Sequence, residues 1–316
     1  MKDLLNYKEV IETIIKETSR YVVDNDIKAM VLGISGGIDS TVVAAICYEV
    51  SLITGIPLIG RSLPTKFNKD GETSTATLVG EAFCNDFKEV PIQDIYENIV
   101  DYINDVEADY GQTKLANGNI QARIRMLYLY NLAGVHRGIV MDTDNLTENN
   151  LGYFTIHGDV GDFNPIGGLW KTEVFELAEV LLEHYAVNSH YSVHSHCFET
   201  FDIRKNTNSD YARCKAISQS LDLKPTAGLG IINNDLEELG AESYDQVDSI
   251  LQEILSWKWI EDQNPSIPEE RYQKFMEDQQ MLDTPIEVIQ NVAKRHFYSS
   301  FKRKKLPVKV SRALLV

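Results

Sequence analysis

The chain has 316 residues, of which 30 are Lys or Arg and 47 are Asp or Glu, so its formal net charge is -17. An acidic chain is repelled by nucleic-acid phosphates, and no nucleic-acid partner is expected. Hydrophobic residues make up 43% of the chain, which excludes disorder over its whole length. The apolar runs are too short to span a bilayer, and the charged first residues exclude a signal peptide, so no membrane partner is expected. Four scattered cysteines without CxxC spacing favour reduced thiols in a cytoplasmic protein.

Strand-like and helical patterns alternate along the first part of the chain. Residues 7–24 have helical periodicity, and the strand-like run Ala29–Ile34 is followed by a glycine loop and a helix. The further predicted strands are Ile56–Leu63, Phe87–Ile92 and Gly138–Asp142. The further predicted helices are Glu72–Phe83, Gln93–Asp105, Ile120–Ala133 and Lys171–Glu183. This alternation predicts an α/β fold with a doubly wound parallel sheet, which binds ligands at the carboxyl ends of its strands.

The loop between the first strand and its helix, Ser35–Ser40, has the sequence SGGIDS. Its two glycines permit a tight turn that brings backbone N–H groups close to a ligand, and the helix N-terminus adds unpaired N–H groups. These features predict a phosphate-binding loop, whereas the structural alternative is a tight turn with a capping Ser or Asp. The Walker lysine is absent, and Asp39 offers a carboxylate to a divalent cation instead.

The pattern changes after residue 185. Residues 186–233 are predicted to be irregular, and residues 234–280 are acidic and helical. We therefore predict a single domain over residues 1–316, with an α/β nucleotide-binding core over 1–185 and an irregular and helical C-terminal part over 186–316.

Several segments resemble one known family. GISGGIDS is similar to the loop of enzymes that attach AMP to a substrate oxygen and release pyrophosphate, and alone it does not choose between NAD, GMP and asparagine synthetases and tRNA-thiolating enzymes. The segments that match ammonia-dependent NAD synthetases are Gly118–Met126, Asp142–Glu148, Gly152–Thr155, Gly158–Thr172, Lys224–Leu229, Glu238–Gly240 and Phe301–Pro307. They occur in the family's order over nearly the whole chain. The resemblance implies the adenine nucleotide alpha-hydrolase-like fold with a helical C-terminal extension.

The resemblance implies a ligase that amidates the nicotinate carboxylate of deamido-NAD. ATP, the co-substrate, adenylates the carboxylate and releases pyrophosphate, Mg²⁺ neutralises the phosphate charge, and ammonia displaces AMP. The implied ATP-binding residues are Gly33, Ile34, Ser35, Gly36, Gly37, Ile38, Asp39, Ser40, Thr143, Lys171 and Thr226. The implied Mg²⁺ ligands are Asp39 and Glu148, the acceptor-binding residues are Arg123, Asp162 and Lys302, and the catalytic residues are Asp159 and Lys171. Asp159 is expected to accept a proton from ammonium, and Lys171 to balance phosphate charge.

Some positions depart from the family pattern. Ile156 stands where the family has a lysine and Phe301 where it has a histidine, and both family residues contact the dinucleotide. Asp142 stands where the family has a glycine, and the run that begins at Gly158 is one residue shorter. The acceptor is therefore open between deamido-NAD and nicotinate mononucleotide. A tRNA-modifying adenylating enzyme is an alternative of another class, against which the net charge and the absence of CxxC count; a nucleotide-binding protein without catalysis is a third.

The nitrogen donor and the partners follow from the same resemblance. The sheet begins near residue 29, which leaves no room in front for the amidase domain of glutamine-dependent relatives, so free ammonia is the expected donor and a separate glutaminase the alternative. The family also implies a homodimer.

A cluster of residue types that bind zinc lies further along the chain, and it consists of His190, His194, His196 and Cys197. Their spacing fits no zinc motif and favours an insertion loop.

Overall fold

The structure, a computed structural model, describes residues 6–68, 71–103, 110–189, 209–223, 235–256, 268–279 and 283–303. The first elements are α1 (Tyr7–Asp24), β1 (Met30–Gly33), α2 (Ile38–Thr54), β2 (Leu58–Ser62), α3 (Glu72–Phe83), β3 (Asp86–Glu89), α4 (Gln93–Ile103), α5 (Tyr110–His136) and β4 (Ile139–Val140). Next come α6 (Leu146–Leu151), α7 (Lys171–Ser189), α8 (Ser209–Asp222), α9 (Asp235–Leu239), α10 (Tyr244–Ser256), α11 (Pro268–Asp278), α12 (Ile286–Tyr298) and a 3₁₀ turn (Ser300–Arg303).

The four strands of the described residues form a parallel sheet in the order β3-β2-β1-β4. The chain runs outward from β1 to β3 and then crosses to the other side of β1 to form β4. The direction of winding therefore reverses between β1 and β4, and ligands bind at such a reversal, beyond the carboxyl ends of the two strands.

Helices cover both faces of the sheet because side chains alternate along β1. Met30 and Leu32 pack in a core that includes α1, α2, α3, α7 and α8, whereas Val31 packs on the opposite face against α4 and α5. The α2 run Val42–Cys47 is buried on all sides, as expected for a helix between a sheet and other helices. The predicted doubly wound α/β fold is confirmed.

A separate core joins the helices near the C-terminus. It contains apolar side chains of α9, α10, α11 and α12, and Leu151 of α6 packs in the same core. Since α6 follows the loop after β4, that loop lies between the sheet and the C-terminal helices. The site at the reversal point is therefore bounded by both parts of the fold.

One prediction for the second half is wrong. Residues 186–233 were expected to be irregular, but Ser209–Asp222 form α8, and Cys214, Ala216 and Ile217 are buried in the core of the sheet. The apolar stripe of α8 is short and lies among polar residues, so packing against α3 and α7 stabilises the helix more than its own pattern does. Helix α5 is also longer than predicted, and β4 is shorter. Throughout the described ranges, every helix is too short or too polar to cross a lipid bilayer.

Candidate active site

The predicted phosphate-binding loop leaves the carboxyl end of β1 and leads into α2. Gly36 has a φ of +87°, and a Cβ there would lie 2.5 Å from a backbone oxygen of α3, so glycine is required. Ser35 Oγ accepts a hydrogen bond from the Gly37 N–H at 3.2 Å and lies 3.0 Å from Ser40 Oγ. In the described chain no side chain caps the N-terminus of α2. The first N–H groups of α2 are therefore available to an anion.

Two carboxylates and a lysine meet where α2, α6 and α7 begin. Lys171 Nζ forms a close ion pair with Asp39 Oδ2 and lies 3.1 Å from Glu148 Oε1, and the lysine side chain is only 2% exposed. Asn145 joins the two acids, because its Nδ2 donates to Asp39 Oδ1 at 2.9 Å and its Oδ1 accepts from the Glu148 N–H at 2.9 Å. Glu148 Oε2 accepts in return from the Asn145 N–H at 3.2 Å, which completes a capping box.

Burial sets the charges of this group. Burial and the neighbouring Asp39 raise the pKa of Glu148 to about 7. Burial lowers the pKa of Lys171, but the ion pairs with both carboxylates outweigh burial and raise the pKa well above its usual value. Mg²⁺ is commonly held by one or two carboxylates together with phosphate oxygens. Asp39 and Glu148 fit that donor set, and within the described residues no three His, Cys, Asp or Glu side chains are placed to hold a metal ion.

A cavity of about 1080 Å³ contains this group. It extends from the loop after β1 and the loop after β4 to α5 and α12. Thr143, Asp159 and Lys302 also line it. The structure therefore brings these three residues to the same cavity as the loop, the two carboxylates and Lys171.

Asp159 lies in the segment after α6, and Lys302, in the 3₁₀ turn, contacts the same segment. Asp159 Oδ1 accepts from the Thr155 N–H at 2.6 Å, so it caps a turn as well as lining the cavity. Burial raises the pKa of Asp159 to about 6, although hydrogen bonds from the backbone and the charge of Lys302 lower it. Lys302 Nζ donates to the carbonyl oxygens of Gly152 at 2.7 Å and Phe154 at 2.6 Å.

Two predicted acceptor-binding residues, Arg123 and Asp162, do not line the cavity of about 1080 Å³ that the described residues form. Arg123 is exposed, and its Nη2 donates to the carbonyl oxygen of Ile156 at 3.2 Å. Asp162 accepts from the Val140 N–H at 2.9 Å and from the Tyr130 hydroxyl at 3.0 Å. In the described part of the chain neither residue lines the larger cavity, and their role stays a prediction.

The positions that depart from the family pattern lie close to the site. Phe301 lines the larger cavity and is 57% exposed, and Ile156 lines an adjoining cavity of about 610 Å³. Asp142 is buried, and its Oδ1 accepts from the Asp144 N–H at 2.9 Å. The predicted positions outside the described residues are Thr226, His190, His194, His196 and Cys197.

Asn145 and Asp144 also belong to the site, although neither was predicted as a site residue. Asn145 had a recognisable signal, since Asn followed three residues later by Glu is the pattern of a capping box. Asp144 lines both cavities, and burial together with the nearby Asp142 raises its pKa well above the usual value. Its position depends on how the loop after β4 packs, which no local pattern reveals.

A solved structure of another protein has the same fold as this chain. The solved NMN synthetase of Francisella tularensis has the same fold, with a TM-score of 0.68 at 24% identity over 97% of this chain and 98% of that chain. The fold is thus the doubly wound α/β fold that this structure shares, a class in which ligands bind where the winding of the sheet reverses.

The chain belongs to the NAD synthase family, whose model matches residues 10–187. It is 33% identical over 232 residues to the NH(3)-dependent NAD(+) synthetase of Methanococcoides burtonii, which is 73% of this chain and 73% of the relative. It is 31% identical over 282 residues to the enzyme of the same name from Thermoplasma acidophilum, covering 88% of this chain and 95% of the relative. The predicted family and the predicted type of enzyme, a ligase that forms a carbon–nitrogen bond, are confirmed.

Proposed function

We propose that the protein converts deamido-NAD to NAD, with ATP as co-substrate, ammonia as nitrogen donor, and AMP and pyrophosphate as the other products. The observation that carries the proposal is the convergence of Asp39, Glu148 and Lys171 beside the loop after β1. Membership of the NAD synthase family and the names of the relatives support the same reaction.

The carboxylate has to be adenylated before ammonia can attack it, because a free carboxylate is a poor electrophile. The adenylation step itself needs stabilisation because the pyrophosphate that leaves carries a large negative charge. Gly33–Ser40 are proposed to surround the ATP phosphates, with the uncapped backbone N–H groups at the start of α2 donating to phosphate oxygens. Asp39 and Glu148 would hold Mg²⁺, which supplies charge neutralisation when it is bound. Lys171, a cation in spite of its burial, adds a fixed positive charge at the same place. Thr143 and Thr226 complete the proposed ATP-binding set.

Amide formation needs ammonia rather than ammonium. We assign Asp159 to this step because its carboxylate lines the cavity and is ionised above a pKa of about 6. At neutral pH it can attract ammonium and take its proton. Arg123, Asp162 and Lys302 are proposed to bind the acceptor, and of these Lys302 lies on the cavity wall.

A second acceptor, nicotinate mononucleotide, is favoured by one observation. Phe301 lines the cavity where the family pattern has a histidine, so a polar side chain expected near the acceptor is replaced by an apolar ring. The adjoining cavity likewise has Ile156 where the pattern has a lysine. Because the loop and the carboxylates are unaffected, the same chemistry would act on the smaller acceptor.

We further propose a cytoplasmic homodimer. Helix α5 has exposed apolar side chains, among them Leu127, 66% exposed, and Val135, 71% exposed. A surface of this kind favours burial against a second copy. The free thiols of Cys47, Cys84 and Cys214 fit a reducing compartment.

The test is an assay of pyrophosphate release with ATP, Mg²⁺ and ammonium, run separately with deamido-NAD, nicotinate mononucleotide and xanthosine monophosphate. Pyrophosphate and NAD are expected in the first reaction. Equal or faster turnover of nicotinate mononucleotide would establish the second acceptor, and turnover of xanthosine monophosphate alone would refute the proposed function. Replacing ammonium by glutamine should abolish the product, because free ammonia is the proposed donor.

A further inference from the structure

The side chain of Asp248, on α10, contacts α6 and α7, the two helices that bear Glu148 and Lys171. It is 2% exposed, although no part of the proposed chemistry uses it. Its Oδ1 accepts a hydrogen bond from the Thr147 hydroxyl, and its Oδ2 accepts from the Thr172 N–H at 3.1 Å. One carboxylate of the C-terminal helices thus binds both α6 and α7.

The hydrogen bonds form a directed chain. The Lys171 N–H can only donate, and it donates to Thr147 Oγ1 at 2.9 Å. The single hydroxyl proton of Thr147 is therefore free for Asp248, whose ionised carboxylate only accepts. Lys171 and Thr172 are the first residues of α7, so their N–H groups lack partners within the helix. Asp248 satisfies one of them directly and the other through Thr147.

Helix α10 also contacts the other end of the lysine. The Tyr244 ring centre lies 5.7 Å from Lys171 Nζ, within the range of a cation–π interaction. The negative charge of Asp248 at the N-terminus of α7 is stabilised by the helix dipole. Contacts from α10 thus position both the backbone and the ammonium group of Lys171.

We propose that Asp248 is a positioning residue that holds α6 and α7 together, so that Glu148 and Lys171 meet Asp39 with the geometry that binds Mg²⁺ and nucleotide. The inference rests on the proposed function in one respect, that these groups bind Mg²⁺ and ATP. Thr147 transmits the effect, because it lies next to Glu148 in α6 and accepts from the first N–H of α7.

The experiment measures binding of a non-hydrolysable ATP analogue with Mg²⁺ by calorimetry, at a temperature where each variant is folded. Asp248→Asn and Thr147→Val should each weaken binding about tenfold, because each leaves a buried hydrogen-bonding group without its partner. Thr147→Ser keeps the hydroxyl and should bind within twofold of wild type. Asp245→Asn, an exposed change on the same helix, is the matched control and should also bind within twofold.

Two further readouts separate positioning from stability alone. The double variant combines Thr147→Val and Asp248→Asn. Its affinity for the analogue should be at most twofold lower than that of the single variant with the lower affinity, because the two residues act in one chain of hydrogen bonds. Amide hydrogen exchange at Lys171 and Thr172 should be faster in Asp248→Asn than in the control. If Asp248→Asn does not fold, the Thr147 pair still decides the question.

Wild-type affinity in folded Asp248→Asn or Thr147→Val, with only a lower melting temperature, would overturn the positioning role. Affinity losses that add in the double variant would overturn it as well. If wild-type protein did not bind the analogue, the proposed function itself would be wrong, and the inference that rests on it would be refuted too. A failure of Asp248 alone is thus distinguishable from a failure of the function.

Discussion

Asn145 determines how close Asp39 and Glu148 lie, since its one amide group binds the carboxylate of the first and the backbone of the second. At this scale the sequence predicted several of the residues that line the cavity. The loop after β1 was recognisable because its glycines and acid are contiguous, and Glu148 and Lys171 were recognised through the family resemblance. Asn145 was missed although its capping box is a local pattern, because its bond to Asp39 joins residues far apart in the chain, and the contacts of Asp248 are of the same long-range kind.

Asp39→Asn and Glu148→Gln should each lower the rate of pyrophosphate release by at least about a hundredfold, because each removes a charge from the proposed Mg²⁺ site. Both substitutions preserve side-chain shape, so far-ultraviolet circular dichroism should be unchanged. The measurement is pyrophosphate release at saturating ATP and acceptor. A normal rate in either variant would remove that residue from the metal site.

Asp159→Asn should retain adenylation and slow formation of the product amide, because the asparagine side chain cannot accept the proton of ammonium. Single-turnover measurement of pyrophosphate and amide in one sample tests this. In the wild type, amide formation should rise as pH increases through about 6, where the Asp159 carboxyl loses its proton. The asparagine variant should lack that rise. Equal loss of both half-reactions would show that Asp159 only caps its turn.

Helix α12 contains a buried His296, 7% exposed, whose Nδ1 lies 3.1 Å from the carbonyl oxygen of Asn150. Burial, with a contribution from Arg303, lowers its pKa to about 3. At the scale of elements, α1 and α3 were predicted with their observed bounds, whereas α8 was missed and the length of β4 was overestimated. Their patterns are short, and tertiary packing decides them.

His296 should make the fold sensitive to acid. The unfolded chain binds a proton at this residue below its ordinary pKa of about 6.5, whereas the folded chain does not until about pH 3. Stability from the neutral ring is therefore fully present above about 6.5 and is lost as pH falls towards 3. Urea unfolding at pH 6.5 and pH 5 should show about 2 kcal/mol more loss in wild type than in His296→Asn, which does not titrate. Parallel losses in both proteins would contradict this account.

At the scale of the whole molecule, the arrangement of the sheet, with a core on each face, and of the separate C-terminal core around one cavity was only partly predictable. Alternating strands and helices indicated the sheet, and the order of family segments indicated the rest. How α10 and α12 pack beside the sheet is set by contacts such as those of Leu151, which no local pattern contains.

We expect a homodimer in which α5 contributes to the interface. Leu127→Asp should dissociate it, because a carboxylate would be buried without a partner. Leu52→Asp, at a position of similar exposure on α2, 63% against 66%, is the matched control and should leave the dimer intact. Sedimentation velocity at micromolar concentration with substrate present distinguishes the two. Only monomer in wild type would refute the homodimer.

The capping amide of Asn145 joins groups that are far apart along the chain, since Asn145 and Asp39 are 106 positions apart and Lys171 and Asp39 are 132. Closing loops of that length costs entropy before any contact compensates for it, so such contacts form late in folding. A chain emerging from the ribosome cannot complete the carboxylate–lysine group until α7 has been synthesised, nor anchor it until α10 follows. Nucleotide affinity therefore reports completion of the native topology, and a kinetic folding experiment should show it appearing after helical structure has formed.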